Sequence, residues 1–282
     1  TVFTAQERKE WEPVIKEFEE RTGWNVRVET GSAKEMLSQL EKEEADWDVA
    51  FGVSADALEE GKEYWQTGKD AWTGYSAVSF VILYNTNVVT YRELPTGWDS
   101  LLEPRWKGRV AVPDPLKSDM AASVLTEAAK NSEKEEFLDL LAENMQYQMP
   151  ETFKEVEQGI SDGRYSIGVT SEEAAKAMLA AGQDVDYIDP EEGECFFEDG
   201  TAIRKRTPNL DASEAFVTYT TCDDTKWLLR TQLLRQPAED VAAENDRSDE
   251  DLKQRYSRQQ EVLNIWKLIM EEKSGSAHEQ EQ

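Results

Sequence analysis

The first sixty residues alternate between two hydrophobic patterns. Short apolar runs, typical of strands, are each followed by a stretch in which apolar residues recur every three or four positions, as in an amphipathic helix. The runs are TVFTA (1–5), WNVRVET (24–30) and WDVAFGV (47–53). Helices are predicted from Glu7 to about Arg21, from Ser32 and from Ser54. This β-α-β-α-β-α order favours an α/β fold with a mainly parallel sheet flanked by helices.

The rest of the chain repeats the strand-then-helix unit less regularly. The run SAVSFVILYNTNV (76–88) is longer than an ordinary strand of about five or six residues and could bridge two lobes. Further strands are predicted just before Pro113 and at 163–170, 184–190 and 200–206. Further helices are predicted from Asp119, Glu133, Thr152 and Ser171 and within 209–221, 223–235 and 249–272. The last nine residues, SGSAHEQEQ, have the composition of a disordered tail.

The net charge of the chain limits the classes of partner that it can bind. The chain has 59 Asp and Glu against 31 Lys and Arg, a net charge of −28, which argues against nucleic acid and anionic membrane surfaces. The single histidine, His278, lies in the polar tail, so His-based catalysis and His-rich metal sites are excluded. We expect no cofactor and no metal. Because the sequence opens within a predicted strand, we also expect that an export or anchoring segment has been removed.

Cys195 and Cys222 are the two cysteines. They lack a metal-ligand spacing. A disulfide between them and two separate thiols are both compatible with the sequence.

Small hydroxyl residues recur where strands give way to helices. They are Ser32, Ser54, Ser118 and Ser171, joined by Thr4 and Gln6 after the first strand. Each serine alone is an ordinary helix cap. In a parallel sheet, however, the strand ends meet at one edge, where helix N-termini offer N–H groups to an anion. The pattern therefore predicts an anion or polar-oxygen site that needs no basic side chain.

Other chemistries find little support. The chain has no GxxxxGK[ST], no GxGxxG after a strand and no HExxH. The segments GVSADA and GVTSEE lack the second glycine of a nucleophile elbow, and no histidine is available as a base. These absences disfavour a hydrolase. We interpret Trp72 as core or hinge packing.

Several blocks together resemble a known family. They include TVFTA, DVAFGVSADALEEG, FVILYNTNVV, GWDSLLEPRWKGRVAVPDP, SIGVTSEEAAKAMLAAGQDVDYIDPEEG and DGTAIRKRTPNLDASEAFVTY. The chain resembles the ABC-transporter solute-binding proteins of the periplasmic type 2 class, in the branch that contains ferric-ion, phosphonate and sugar-phosphate binders. LLEPRWKGRVAVPDP is the most specific block.

The resemblance implies a fold, a location and a partner. It implies two α/β lobes with two hinge crossings and a solute captured in the cleft between them. By analogy, lobe one holds 1–101 and 224–282, and lobe two holds 102–223. It further implies an extracytoplasmic monomer, in the periplasm or lipid-anchored at the outer face of the membrane. Such a protein delivers solute to a membrane permease and is not an enzyme.

Differences between this sequence and the family pattern reduce the number of candidate ligands. Ferric binders of this family carry adjacent tyrosines, and the matching segment here reads GVTSEE, so ferric ion is disfavoured. Anion-binding relatives often show Ser-Gly-Thr after the Pro-Asp-Pro element, whereas this chain has Ser118, Asp119 and Met120. A carboxylate at that position argues against a site for a pure anion.

The predicted solute contacts are twelve residues: Thr4, Ala5, Ser32, Ala33, Ser54, Ala55, Ser118, Asp119, Met120, Thr170, Ser171 and Glu172. The leading ligand is a small organic anion or zwitterion, a phosphonate or phosphorylated compound. Its anionic group would lie on Ser32, Ser54 and Ser171, and Asp119 or Glu172 would bind an ammonium or hydroxyls. A polyamine or other cation, ferric ion and a hydrolase on the same scaffold are the alternatives.

Overall fold

The computed structural model describes residues 1–66, 71–193, 195–242 and 249–280. The strands are β1 (Val2–Thr4), β2 (Val28–Thr30), β3 (Val49–Ser54), β4 (Thr73–Asn85), β5 (Val110–Ala111), β6 (Ile167–Ser171), β7 (Val185–Ile188), β8 (Cys195–Ile203) and β9 (Gln236–Pro237). The helices are α1 (Arg8–Thr22), α2 (Ala33–Glu41), α3 (Ala55–Glu60), α4 (Asp119–Asn131), α5 (Phe137–Asn144), α6 (Phe153–Ser161), α7 (Glu172–Ala180), α8 (Leu210–Thr220), α9 (Asp223–Leu228), α10 (Ala238–Ala242) and α11 (Asp249–Gln280).

The chain divides into two compact units. Unit 1 comprises Thr1–Val78 and Phe197–Ser257, and unit 2 comprises Ser79–Phe196 and Arg258–Gln282. The chain therefore passes from one unit to the other within β4, within β8 and within α11. These bounds differ from the lobe ranges 1–101, 102–223 and 224–282, which stay a prediction.

In unit 1, β1 lies between β2 and β3 and is parallel to both. β8 adds to β3 in antiparallel orientation, and the register shifts between Phe51 and Val53. Two cores cover this sheet, one around Met36, Trp47 and Trp65 and another around Phe18, Phe51 and Phe216. The parallel pairing of the first three strands confirms the β-α-β-α-β-α prediction.

In unit 2, β6 is parallel to β5 and antiparallel to β4, and β7 also pairs with β4. The apolar side chains of β4, α6 and α7 form its core, with Leu83, Val156 and Ala175 almost completely buried. The long β4 confirms the extended strand predicted near 76–88.

Two local predictions need correction or completion. α11 continues through residues 274–280, which the composition had marked as a disordered tail; residues 281–282 lie outside the described part. Ala, Glu and Gln favour helices, and a helix that has formed adds residues readily. No disulfide is present among the described residues, and the Cys222 Sγ lies 3.6 Å from the Thr225 hydroxyl. None of the helices in the described ranges has the length and apolar character of a membrane span.

Candidate functional site

The ends of β1, β2 and β3 meet at one edge of unit 1, which we call the strand-end edge of unit 1. Thr4 is aligned with Thr30 and Phe51 in the parallel register. The loops after these strands therefore leave the sheet at the same edge, although β3 continues beyond Phe51 to Ser54, and the predicted contacts of unit 1 lie at or next to these strand ends. The Thr4 carbonyl accepts a hydrogen bond from the Gly31 amide at 3.1 Å, which fixes the first two loops to each other.

Ser32 caps α2 in a closed arrangement. Its hydroxyl oxygen accepts from the Glu35 amide at 3.2 Å, and the Glu35 carboxylate accepts from the Ser32 amide at 2.8 Å. This reciprocal capping box satisfies the first turn of α2 internally. Ala33, the next residue, is buried. An anion at Ser32 would have to displace a carboxylate that is part of the protein.

Ser54 ends β3 and caps α3. Its hydroxyl accepts a hydrogen bond from the Ala57 amide at 3.4 Å, and both Ser54 and Ala55 are almost fully buried. Asp56 follows in the first turn of α3, and its Oδ2 lies 3.4 Å from the Nε of Arg255 on α11. α3 has only six residues, so its own dipole is small.

Gln6 connects the β1 loop to a buried charge cluster. The side-chain Nε2 of Gln6 donates to the Asp199 carboxylate at 2.7 Å. The backbone N–H of Gln6 donates to Thr4 Oγ1 at 3.2 Å. Ala5, between these two residues, packs against the core that includes α2. Gln6 lies over Gly52, whose φ is +62°, and no larger residue has room there, because a Cβ would lie 2.4 Å from the Gln6 Cδ.

Asp199 is the centre of this cluster. One of its oxygens accepts from the Ser76 amide and hydroxyl at 3.2 and 3.0 Å, and the other accepts from Arg235 at 2.5 Å. Arg235 also donates to Glu10 at 2.9 Å. Burial raises the pKa of Asp199, although Arg235 and the hydrogen bonds from Gln6 and Ser76 lower it. The two carboxylates more than offset the effect of burial on Arg235, whose pKa is raised.

Unit 2 has its own strand-end edge, because β5 and β6 run parallel with Ala111 aligned to Gly168. After β5, the Asp114 side chain accepts from the Leu116 amide at 3.0 Å, which forms the rigid Pro-Asp-Pro turn before α4. Ser118 then caps α4 through the Ala121 amide at 3.3 Å, with Asp119 and Met120 in its first turn.

The end of β6 is acidic as well as hydroxyl-rich. Thr170 is fully buried and donates its hydroxyl to Glu157 at 2.7 Å. Ser171 caps α7 by accepting from the Ala174 amide at 3.2 Å. Glu172 contacts Lys176 at 3.0 Å. Burial and the charge of Glu172 raise the pKa of Tyr187, whose hydroxyl lies 3.5 Å from that carboxylate.

The structure thus brings Thr4, Ala5, Ser32, Ala33, Ser54 and Ala55 to one edge of unit 1. It brings Ser118, Asp119, Met120, Thr170, Ser171 and Glu172 to one edge of unit 2. Sequence reasoning missed Asp56, Glu157, Asp199, Arg235 and Arg255, which lack any local motif. Trp72 contributes packing: its indole nitrogen donates to the buried Glu59 at 3.1 Å. In the part of the chain that the structure describes, no group of three His, Cys, Asp or Glu residues is placed to hold a metal.

Comparison with known proteins identifies the family. The sequence profile of the bacterial extracellular solute-binding proteins matches residues 50–260. The chain belongs to this family. Such proteins deliver small-molecule substrates to ABC permeases from outside the cytoplasm. The match confirms the class of protein that the resemblance of the sequence blocks implied.

Relatives of this solute-binding protein differ in their cargo. Iron uptake protein A1 of Synechocystis sp. is 23% identical over 262 residues, which cover 81% of this chain and 69% of that protein. A ferric-binding protein from Campylobacter jejuni matches with a TM-score of 0.75, at 16% identity and with coverage of 95% and 98% of the two chains. AfuA from Actinobacillus pleuropneumoniae, solved with fructose-6-phosphate, matches with a TM-score of 0.76, at 15% identity and with coverage of 96% and 98%. These likenesses show the two-lobed α/β fold of the periplasmic binding proteins.

Proposed function

We propose that this solute-binding protein captures a small organic solute with an anionic group, a phosphonate or a phosphate ester. A zwitterion such as an aminoalkylphosphonate fits best. The observation that carries the proposal is the strand-end edge of unit 2, where two hydroxyl-capped helix starts lie beside carboxylates. The twelve predicted contacts are proposed as solute contacts, with Ser171 favoured over Ser32 for the anionic group. A monomeric state, and a location either in the periplasm or lipid-anchored at the outer face of the cell membrane, belong to the proposal too.

Two features of unit 2 support a zwitterion. The starts of α4 and α7 present backbone N–H groups and serine hydroxyls, which suit a phosphonate oxygen. Asp119, in the first turn of α4, supplies a carboxylate for an ammonium group. Glu172 is the weaker candidate for that role, because the Lys176 ammonium lies 3.0 Å from its carboxylate and would compete with a ligand ammonium for the same oxygens.

Calorimetric titration with 2-aminoethylphosphonate and ethylphosphonate tests both halves of the idea. Ser171→Ala should weaken both ligands by roughly tenfold to a hundredfold, since a hydrogen bond to a charged group contributes about 1.5–3 kcal/mol. Thr152→Ala is the matched control: Thr152 caps α6 through an equivalent bond at 3.2 Å but follows no strand. It should leave both affinities unchanged.

Asp119→Asn should weaken 2-aminoethylphosphonate and spare ethylphosphonate, because only the first ligand carries an ammonium group. Equal losses for both ligands would contradict the ammonium role of Asp119. Unchanged binding by Ser171→Ala would contradict the anion contact. If the unmodified protein binds neither compound, the phosphonate proposal fails.

Ferric ion is the second candidate, because iron uptake protein A1 and several structural neighbours are named for iron. The absence of adjacent tyrosines from the sequence argues against it, since phenolate is a hard ligand that suits a hard cation. Titration with ferric citrate should produce no visible charge-transfer band. A stable band that remains after desalting would favour iron over the phosphonate.

A further inference from the structure

A cleft of about 620 Å³ lies in unit 1, at the edge of the sheet opposite its strand-end edge. β3 begins at that edge with Val49, which is aligned with Ile203 at the end of the antiparallel β8. Residues 204–206, which follow β8, line the cleft together with Tyr64. Its volume is in the range of roughly 300–1,000 Å³ that is typical of small-molecule sites. The residues that line it are distinct from the twelve predicted solute contacts.

Residues 204–206 concentrate positive charge in an acidic chain. Arg204, Lys205 and Arg206 are the only three consecutive basic residues in the sequence, whose net charge is −28. The Arg204 amide donates to the Asp48 carbonyl at 2.9 Å, and the Lys205 amide donates to the Tyr64 carbonyl at 2.8 Å. These bonds fix the backbone of the basic segment to the edge of the sheet.

Carbonyl oxygens hold two of the three basic side chains. Arg204 Nε donates to the Trp47 carbonyl at 2.5 Å, and Lys205 Nζ donates to the Glu63 carbonyl at 3.0 Å. Neither side chain forms an ion pair with a carboxylate of the described residues, whereas Arg206 pairs with Glu43 at 3.2 Å. A carbonyl oxygen fixes the position of a cation but does not balance its formal charge. Arg204 and Lys205 therefore offer positive charge and further N–H donors to a ligand.

We propose that this cleft is a second binding site, in which Arg204 and Lys205 bind the oxyanion of a small molecule, a phosphate or a phosphate ester. A guanidinium presents parallel N–H donors that match the oxygens of a phosphate, and the neighbouring ammonium adds a compact charge. Because Arg204 Nε is bound to Trp47, the two Nη groups are the donors left for the ligand. The site goes beyond the proposed function and does not depend on it.

Carboxylates in the same cleft limit the class of ligand. Glu41 and Glu63 line the cleft, and both are exposed. Their charges repel a ligand that is anionic throughout, and their oxygens accept from hydroxyl or ammonium groups. A phosphate ester that carries such a group, for example phosphoethanolamine, therefore fits the cleft better than pyrophosphate.

Acetylation of lysines, followed by mass spectrometry, gives a readout at the cleft itself. At constant ionic strength, inorganic phosphate should slow the acetylation of Lys205 in a saturable way and leave that of Lys16 unchanged. Lys16 is the matched control, because it is an exposed lysine of unit 1 that lies on α1 and does not line the cleft. Phosphoethanolamine should protect Lys205 at lower concentrations than inorganic phosphate or pyrophosphate.

Substitutions identify the residues that carry the protection. Arg204→Gln should move the midpoint of Lys205 protection to phosphate concentrations roughly tenfold to a hundredfold higher, because a hydrogen bond to a charged group is lost. The glutamine amide can still donate to the Trp47 carbonyl, which protects folding. Arg204→Lys keeps the charge and should move the midpoint less. Ser171→Ala should leave it unchanged, which separates this site from the predicted solute contacts.

Three results would overturn the second site: no protection of Lys205, equal protection of Lys16 and Lys205, or protection that Arg204→Gln leaves unchanged. Stronger protection by pyrophosphate than by phosphoethanolamine would overturn the assigned class of ligand.

Discussion

Gly52 offers a measurable test of how closely the β1 and β3 loops are packed. Its φ of +62° lies in the left-handed region, and a Cβ on it would come within 2.4 Å of Gln6 Cδ and 2.6 Å of Gln6 Nε2. Gly23, at the end of α1, has a similar φ of +75° but open space, with nothing within 4 Å of its Cβ position. Gly52→Ala and Gly23→Ala therefore share the backbone penalty and differ in the clash.

The magnitudes follow from these two positions. Placing alanine in the left-handed region costs about 1–2 kcal/mol, which is the whole expected loss for Gly23→Ala. Gly52→Ala adds overpacking of about 1–3 kcal/mol, because Gln6 can move away only by giving up its bond to Asp199. Urea unfolding followed by fluorescence, with midpoint and slope compared between the variants, measures the difference.

A double-mutant cycle identifies the clashing partner. Gln6→Ala alone should destabilise the protein because it removes a donor from the buried Asp199. Combined with Gly52→Ala, it should cost less than the sum of the two changes, since the clash has gone. The reasoning is refuted if Gly52→Ala destabilises no more than Gly23→Ala, or if the two losses simply add.

Two further predictions concern charge. Arg235→Met should lower the free energy of unfolding by about 3–5 kcal/mol in urea, because it leaves the fully buried Asp199 without its cation; a loss below 1 kcal/mol would contradict this. The net charge of −28 predicts a Tm that rises from 0.05 to 1 M NaCl, since the Debye length falls to about 3 Å; a falling Tm would contradict the self-repulsion argument.

The sequence was sufficient to predict the strand-end edges because their causes are local. Ser32, Ser118 and Ser171 each follow an extended segment and precede an amphipathic one, and each accepts the expected capping bond. Parallel pairing then brings the loops together without further information. The Pro-Asp-Pro turn was predictable for the same reason: proline and aspartate favour particular backbone conformations through local interactions.

The partners of those loops were not predictable, because they come from distant parts of the chain. Arg235 reaches Ser76 and Asp199, positions 159 and 36 residues away in the sequence. Arg255 meets Asp56 from a helix whose pattern shows only amphipathic packing. The sequence does not distinguish a buried arginine from an exposed one, because the partners that allow burial come from distant segments.

The placement of these two arginines shows how burial changes the surroundings of a basic side chain in so acidic a protein. Most of its 31 basic residues are exposed, where salt screens them and neighbouring carboxylates compete for them. Arg235 and Arg255 are instead largely buried, each against a carboxylate of unit 1, so their fields are less screened than those of surface charges. Arg235 forms ion pairs with Asp199 and Glu10. Asp199 in turn accepts a hydrogen bond from Gln6, which connects this cluster to the loop after β1. Arg255 is paired with Asp56, so carboxylates balance the charges of both arginines locally in a protein of net charge −28.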